Sequence, residues 1–426
     1  MAFLPTFVTS TLQVLQETLI ETVSASDLWV NLVYFVFLGR WPTEPMVKAL
    51  RSCGMAPASD DTALSGGYVG AVRKVQLKPS TDKPNSVVVK SVPESFKARM
   101  FAGMFGTSQR EARFYKEVAD TLPVPIPEVY FSEWSRARGF ELIIMENIDG
   151  GVLLSDELKN NKDPKGLVSE AMRVAARMHA KYWGATPSTL AKSSLGKYPW
   201  LKGYDYIQGR NKGMYQYYKG IISSFWDKVK MAITEGRIGD RQYDVKWSRE
   251  LVEFIDKAIE DSTWDAYQKY LKTHKHPLTL VHGDYHAGNQ LWVETTKKLY
   301  TVDWSDVSVG EGPADIAQFC ISNVKTDDRR KWEDDLIRVY WNELGAQGVD
   351  HSCYPLSMCR EAYARGGIDR FVQLLILMAA CGVDYPTVLP DAFMQYFVDQ
   401  VDDFISDHKN YCNSPYLLTI TYDAPW

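Results

Sequence analysis

Asp284, Asn289 and Asp303 carry the strongest chemical signal in this chain. The first two lie in the run Leu280-Val281-His282-Gly283-Asp284-Tyr285-His286-Ala287-Gly288-Asn289-Gln290-Leu291-Trp292. A short β run, Leu278–Val281, delivers a tight loop, and a strand Gln290–Val293 follows it. After the polar turn Glu294-Thr295-Thr296-Lys297-Lys298, a second strand, Leu299–Val302, returns to Asp303. Antiparallel pairing brings a hairpin back to the end it left, so Asn289 and Asp303 are expected at one open end, with Asp284 just ahead. Two carboxylates and a carboxamide make an oxygen-rich set suited to Mg²⁺.

The D-x-x-x-x-N spacing from Asp284 to Asn289 is that of the kinase catalytic loop. There the Asp takes the proton of the attacking hydroxyl, while the Asn and a later Asp hold the metal that bridges nucleotide phosphates. Alone, the spacing is common, because Asp and Asn favour turns for local reasons. The preceding apolar strand, His282-Gly283 and the hairpin ending in Asp303-Trp304 give it weight. His282 and His286 have a zinc-ligand spacing only on a helix. Gly283 directly after a strand argues against one, and no third Cys or His is near.

The elements that must position these groups follow from patterning. Residues 1–60 read as a helical extension ending in Ala56-Pro57-Ala58-Ser59-Asp60-Asp61. From Leu64 to about Ile148 the chain is strand-rich, with Val72, Val75 and Leu77, then Val87-Val88-Val89, then Leu142-Ile143-Ile144-Met145. One helix, from about Ser108 to Leu122, interrupts it before Pro123. Beyond Gly150-Gly151 the pattern is helical except for the hairpin island. The fold class is therefore α+β: an extension (1–60), a small β-rich lobe (61–148) and a larger helical lobe (149–426).

Within the β-rich part, Ser65-Gly66-Gly67-Tyr68-Val69-Gly70 joins two strands, and Gly66 and Gly67 would let backbone N–H groups approach phosphates. A plain hairpin turn reads the same way. No G-x-x-x-x-G-K-[ST] motif occurs, which excludes a P-loop enzyme. Ser108-x-x-Glu111 is a capping box, in which Glu111 would turn back onto its own helix. The helix Val168–Trp183 carries His179 on its apolar face, the place of a satisfied core histidine.

Composition bounds the partners. The chain has 426 residues, a net charge of −5, 45% hydrophobic and 24% charged residues, as expected of a folded enzyme rather than a nucleic-acid binder. Six scattered cysteines without a C-x-x-C pair fit reduced thiols in a cytoplasmic protein. The apolar stretch Leu28–Gly39 falls short of the ~20 residues that span a bilayer, so a buried or interfacial helix is expected, with no integral membrane association.

The motif His282-Gly283-Asp284-x-His286-x-Gly288-Asn289, then Val302-Asp303-Trp304, then Gly312-Pro313-Ala314-Asp315-Ile316-Ala317, resembles the aminoglycoside phosphotransferase and choline-kinase-like superfamily, the small-molecule branch of the protein-kinase-like fold. The resemblance covers roughly residues 62–405 and implies a two-lobed kinase-like fold with ATP and Mg²⁺ as cofactors. It makes Asp284 the catalytic base and Asn289 and Asp303 the Mg²⁺ ligands. Lys90, ending Val87-Val88-Val89-Lys90, would hold phosphates and pair with Glu111, and the backbone of Glu146 and Ile148 would meet the adenine edge. Asp315 would bond the catalytic-loop backbone, or else cap its own helix. The 11 residues from Trp304 to Ala314 leave little room for a peptide-docking segment, which disfavours a protein substrate. The expected partner is a small-molecule hydroxyl acceptor, a metabolite or an antibiotic-like compound. The rival reading is a catalytically silent pseudokinase or nucleotide-binding module. For the acceptor, the aromatics Tyr198, Trp200, Tyr204, Tyr206, Tyr215, Tyr217, Tyr218 and Trp226 and the acids Glu333, Asp334, Asp335, Asp402 and Asp403 are candidates, with helix packing and solvated faces as their plainer roles.

Overall fold

The computed structural model describes residues 44–63, 71–91, 107–135, 140–384 and 389–411. Gly66, Gly67 and the apolar stretch Leu28–Gly39 lie outside them. By their internal contacts the described residues fall into two compact units. One holds residues up to Leu154 together with Gln290–Val307; the other holds Ser155–Asn289 and the residues from Ser308 onward.

The first unit is built on a five-stranded antiparallel sheet in the order β1-β2-β3-β5-β4. The strands are β1 (Pro57–Ala63), β2 (Ala71–Leu77), β3 (Ser86–Ser91), β4 (Val129–Ser135) and β5 (Phe140–Glu146). Val87 and Val89 point from β3 into a core with Val75, Leu77, Leu142 and Ile144, the period-2 alternation of a sheet covered on one face. Lys90, one residue out of phase with them, lies opposite Val72 on one side and Ile143 on the other.

Helix α1 (Glu44–Ser52) contributes Ala49 and the fully buried Leu50 to that same core, so from Glu44 on the expected extension is part of the sheet's packing. The polar run Ala56–Asp61, which reads as the end of the extension, instead forms most of edge strand β1, pairing Pro57 with Leu77 and Asp61 with Val75. An edge strand needs no apolar alternation, and Pro and Asp are residues that edges tolerate. Helix α2 (Thr107–Glu117) ends five residues before the predicted stop and continues into a 3₁₀ turn, Ala119–Thr121.

The hairpin island belongs to this first unit. Strand β6 (Gly151–Leu153) pairs with β8 (Gln290–Val293), and β8 pairs in turn with β9 (Lys298–Thr301), Gln290 opposite Thr301.

The second unit is helical. Helix α3 (Pro164–Ala180) begins where Asp163 accepts the Gly166 N–H and Pro164 takes the first turn, where its missing N–H costs nothing. It packs against α6 (Thr326–Ala346). Helix α7 (Leu356–Asp384) packs against α4 (Lys212–Glu235), α5 (Pro313–Asn323) and α8 (Asp391–His408). By length and composition α7 is apolar enough to cross a membrane, but 67% of its apolar window is buried inside the protein, as in a core helix. Two short strands, β7 (Thr279–Val281) and β10 (Ser308–Gly310), pair antiparallel and carry the loop with Asp284.

Candidate active site

In the first unit, β3, α2 and the end of β9 bring three charged side chains together. Lys90 Nζ lies 2.6 Å from Glu111 Oε2 and 2.7 Å from Asp303 Oδ1. Glu111 therefore pairs with the lysine instead of turning back to cap α2. Burial opposes the Lys90 charge, but Asp303 and Glu111 outweigh it and hold its pKa above the ordinary lysine value. Glu111 is pushed up to about 7, by burial first, against the pull of Lys90.

Asp303 stands at φ +62°, a left-handed conformation that is uncommon for any residue but glycine. Its neighbours hold it there. Ser305 Oγ donates to Asp303 Oδ1 (2.8 Å), Trp304 stacks on Phe114 of α2 at 3.9 Å, and Arg110 Nη1 donates to the Ser305 carbonyl (3.0 Å). The aromatic stack and the arginine thus lock the residues after β9 onto the helix that supplies Glu111.

Sequence patterning misses one member of this cluster. Glu141 interrupts the apolar β5, is buried, and accepts the Ala112 N–H at 3.2 Å. Burial, then the charge of Glu111, pushes its carboxyl well above the ordinary value.

In the second unit, the loop after β7 is fixed through its backbone. Asp315, in the first turn of α5, accepts the His282 N–H (2.7 Å) and the Gly283 N–H (3.0 Å). Of its two candidate roles, the structure has the loop-bonding one. His179 Nε2 completes the carboxylate at 3.1 Å, and Tyr340 O–H donates to His179 Nδ1 at 2.9 Å. The fully buried His179 is thus a structural histidine. Gly283 turns the chain at φ +80°, where a side chain would be strained.

This frame presents Asp284, whose carboxylate is densely bonded. Oδ1 accepts from Gln318 Nε2 (2.7 Å) and lies 3.3 Å from Arg370 Nη2. Oδ2 accepts from Asn289 Nδ2 (3.2 Å) and lies 3.4 Å from His286 Nε2. Burial alone would raise the Asp284 pKa, but His286, then Arg370 and His282, hold it well below the usual carboxylate range.

Asn289 spends its amide N–H groups on Asp284, also reaching the main-chain carbonyl at 3.0 Å, which directs its amide oxygen elsewhere. That oxygen and the Asp303 carboxylate are hard donors of the type Mg²⁺ takes, so both residues fit the ion.

Gln318 and Arg370 were not among the residues that motif reasoning singles out. Gln318 follows Asp315 by three positions on α5, so both share a helix face, a readable signal. Arg370 lies 86 residues from Asp284 in sequence, and its only trace is a charged pair, Asp369-Arg370, in an apolar helix. Of the two residues expected to meet adenine, Glu146 ends β5, its N–H donating to the Glu128 carbonyl (2.8 Å), and the Ile148 carbonyl accepts the Gly151 N–H (3.1 Å).

Residues 81–356 match the family described as the phosphotransferase enzyme family. The chain belongs to that family. It is similar in structure to choline kinase from Cryptosporidium parvum Iowa II, at 12% identity and a TM-score of 0.53, over 90% of this chain and 99% of that one. Choline kinase LicA from Streptococcus pneumoniae (12%, TM-score 0.46) is matched over 85% of this chain and 98% of its own. The GDP complex of aminoglycoside 2'-phosphotransferase-IIIa (11%, TM-score 0.42) is matched over the same shares. At such identities the likeness to the Cryptosporidium protein speaks for the fold alone, a kinase-like α+β fold. No curated protein matches the chain.

Proposed function

We propose that this phosphotransferase moves the γ-phosphoryl group of ATP, with Mg²⁺, to a hydroxyl group of a small molecule. The observation that carries the reading is the carboxylate of Asp284, held by Gln318, Arg370 and Asn289 on a loop that Asp315 fixes through its backbone. The Lys90–Glu111–Asp303 cluster supplies the complementary function: an ammonium kept charged for phosphates and a carboxylate for a cation. Mg²⁺, for which Asp303 and Asn289 each offer a hard oxygen donor, would neutralise charge on the phosphates when bound.

In the reaction the acceptor oxygen forms a bond to the γ-phosphorus as the bond to the leaving oxygen of ADP breaks, and the acceptor proton passes to Asp284. Its low basicity suits a loose transition state, in which the hydroxyl needs orientation more than early deprotonation. The backbone of Glu146 and Ile148 would take the adenine edge.

Incubating the protein with γ-labelled ATP, Mg²⁺ and a metabolite extract tests this reading. The expected result is a labelled small molecule. Nucleotide binding without transfer to any acceptor in the extract would favour a silent nucleotide-binding module instead.

A further inference from the structure

Three features of the second unit bear on what the acceptor is. First, the side chain beside the Asp284 carboxylate is a guanidinium. Arg370 Nη2 is 3.3 Å from Asp284 Oδ1 and its Nε is 3.3 Å from Gln318 Oε1, with the side chain only 15% exposed. His286 adds a second basic group on the other carboxylate oxygen. An acceptor whose hydroxyl reaches Asp284 brings its nearest substituent close to these groups. An ammonium there meets like charge, whereas an acid group meets a planar donor fork.

Second, the aromatic side chains that would have to cage a cation are committed to packing. Of the eight candidate aromatics, Tyr204, Tyr206, Tyr215, Tyr218 and Trp226 are buried, and the half-buried Tyr198, Trp200 and Tyr217 pack against other rings: Tyr198 against Trp200 and Tyr217 against Tyr218. Tyr215 stacks on Tyr267 at 5.7 Å, and Trp226 Nε1 donates to Asp256 at 2.8 Å. A cage needs exposed aromatic faces, and most of these rings are spent on packing against other aromatic side chains.

Third, the candidate acids are mostly engaged in ion pairs. Asp403 pairs with Arg330 (3.0 Å), Glu333 with Arg329 (3.1 Å), Asp334 with Arg338 (2.8 Å) and Asp335 with Lys165 (2.7 Å). Asp369, beside Arg370, accepts from Gln373 Nε2 at 2.9 Å.

From these we propose that the acceptor is an alcohol bearing an acidic group, a carboxylate or a phosphate, near its hydroxyl, and that Arg370 reads that group. The inference rests on the phosphotransferase reading and narrows its substrate class. It separates this chain's acceptor from choline-like and aminoglycoside-like cations.

The test uses the full chain with Mg·ATP and follows ADP release with three sets of probes. These are acidic alcohols (glycerate for the carboxylate arm, glycerol phosphate for the phosphate arm), a neutral alcohol (glycerol) and cationic alcohols (choline, ethanolamine, kanamycin). One acidic arm is expected to give the highest kcat/KM. In Arg370→Gln the acidic-to-neutral ratio of kcat/KM is expected to fall at least about tenfold, with partial recovery in Arg370→Lys. A ratio cancels any general damage to the fold. Should no probe be phosphorylated, the shift in unfolding temperature decides: stabilisation by an acidic alcohol in the wild type, lost in Arg370→Gln, supports the assignment. Three results overturn it: a cationic alcohol as the best acceptor, an unchanged ratio in Arg370→Gln, or no stabilisation by either acidic arm. A wild type that neither binds nor turns over Mg·ATP would instead defeat the phosphotransferase reading itself.

Discussion

Around Lys90 in the first unit, two carboxylates, Glu111 and Asp303, pair with one ammonium, and a third carboxyl group, Glu141, is buried near enough to feel its charge. Around Asp284 in the second unit the ratio is reversed, with one carboxylate receiving two amide side chains, a guanidinium and an imidazole. The first cluster has acid to spare, and burial drives Glu111 and Glu141 toward the protonated form. In the second, every close neighbour stabilises the charged form of Asp284. An excess of buried carboxyl groups suits a place that receives cations. A fully satisfied carboxylate suits a place that must keep one geometry. The contrast supports the proposal that the first cluster serves the nucleotide and its cation and the second the acceptor hydroxyl.

The largest effect is expected at Asp284. Asp284→Ala should lower kcat for phosphoryl transfer by about 10³ or more, read by the label-transfer assay. Next comes the frame. Asp315→Ala removes the acceptor for two buried loop N–H groups and for His179, and should cost about 3 kcal/mol in denaturant unfolding, together with activity. Retained stability would mean that the loop holds itself. In the first unit, Lys90→Ala should weaken Mg·ATP binding about tenfold or more by titration calorimetry.

The smallest effect separates the clusters by pH. Glu111 has a folded pKa of about 7, above its unfolded value, so the folded state takes up a proton as pH falls through 7. Without nucleotide, stability should therefore rise by on the order of 1 kcal/mol between pH 8 and pH 5.5, and Glu111→Gln should remove that part of the rise. Asp284, with its depressed pKa, contributes stability that is present above the unfolded carboxyl value. That stability is lost only as pH falls below about 4, so it should not respond in that window.

Much of the loop that carries Asp284 was legible in sequence because its constraints are local. Gly283 marks a positive-φ turn, the apolar run Leu278–Val281 marks the strand before it, and the polar turn after Val293 sets the hairpin. Lys90 stood out because it follows the run Val87-Val88-Val89, which forms the middle of β3. Edge strand β1 was not, since its position depends on backbone pairing with β2 and not on side-chain pattern. Arg370 and Glu141 were obscured for a related reason. A charge in an apolar helix or strand announces burial, but the partner that satisfies it lies far away in sequence. The aromatics considered for the acceptor show the reverse: abundant in sequence, five of the eight, Tyr204, Tyr206, Tyr215, Tyr218 and Trp226, turn out to pack the core.

Mg·ATP affinity measured side by side on Asp284→Ala and Asp303→Ala tests the division of labour most directly. Asp284→Ala should bind within about threefold of the wild type while transferring nothing, and Asp303→Ala should lose binding by tenfold or more. Equal losses in the two variants, or unchanged binding in Asp303→Ala, would contradict it.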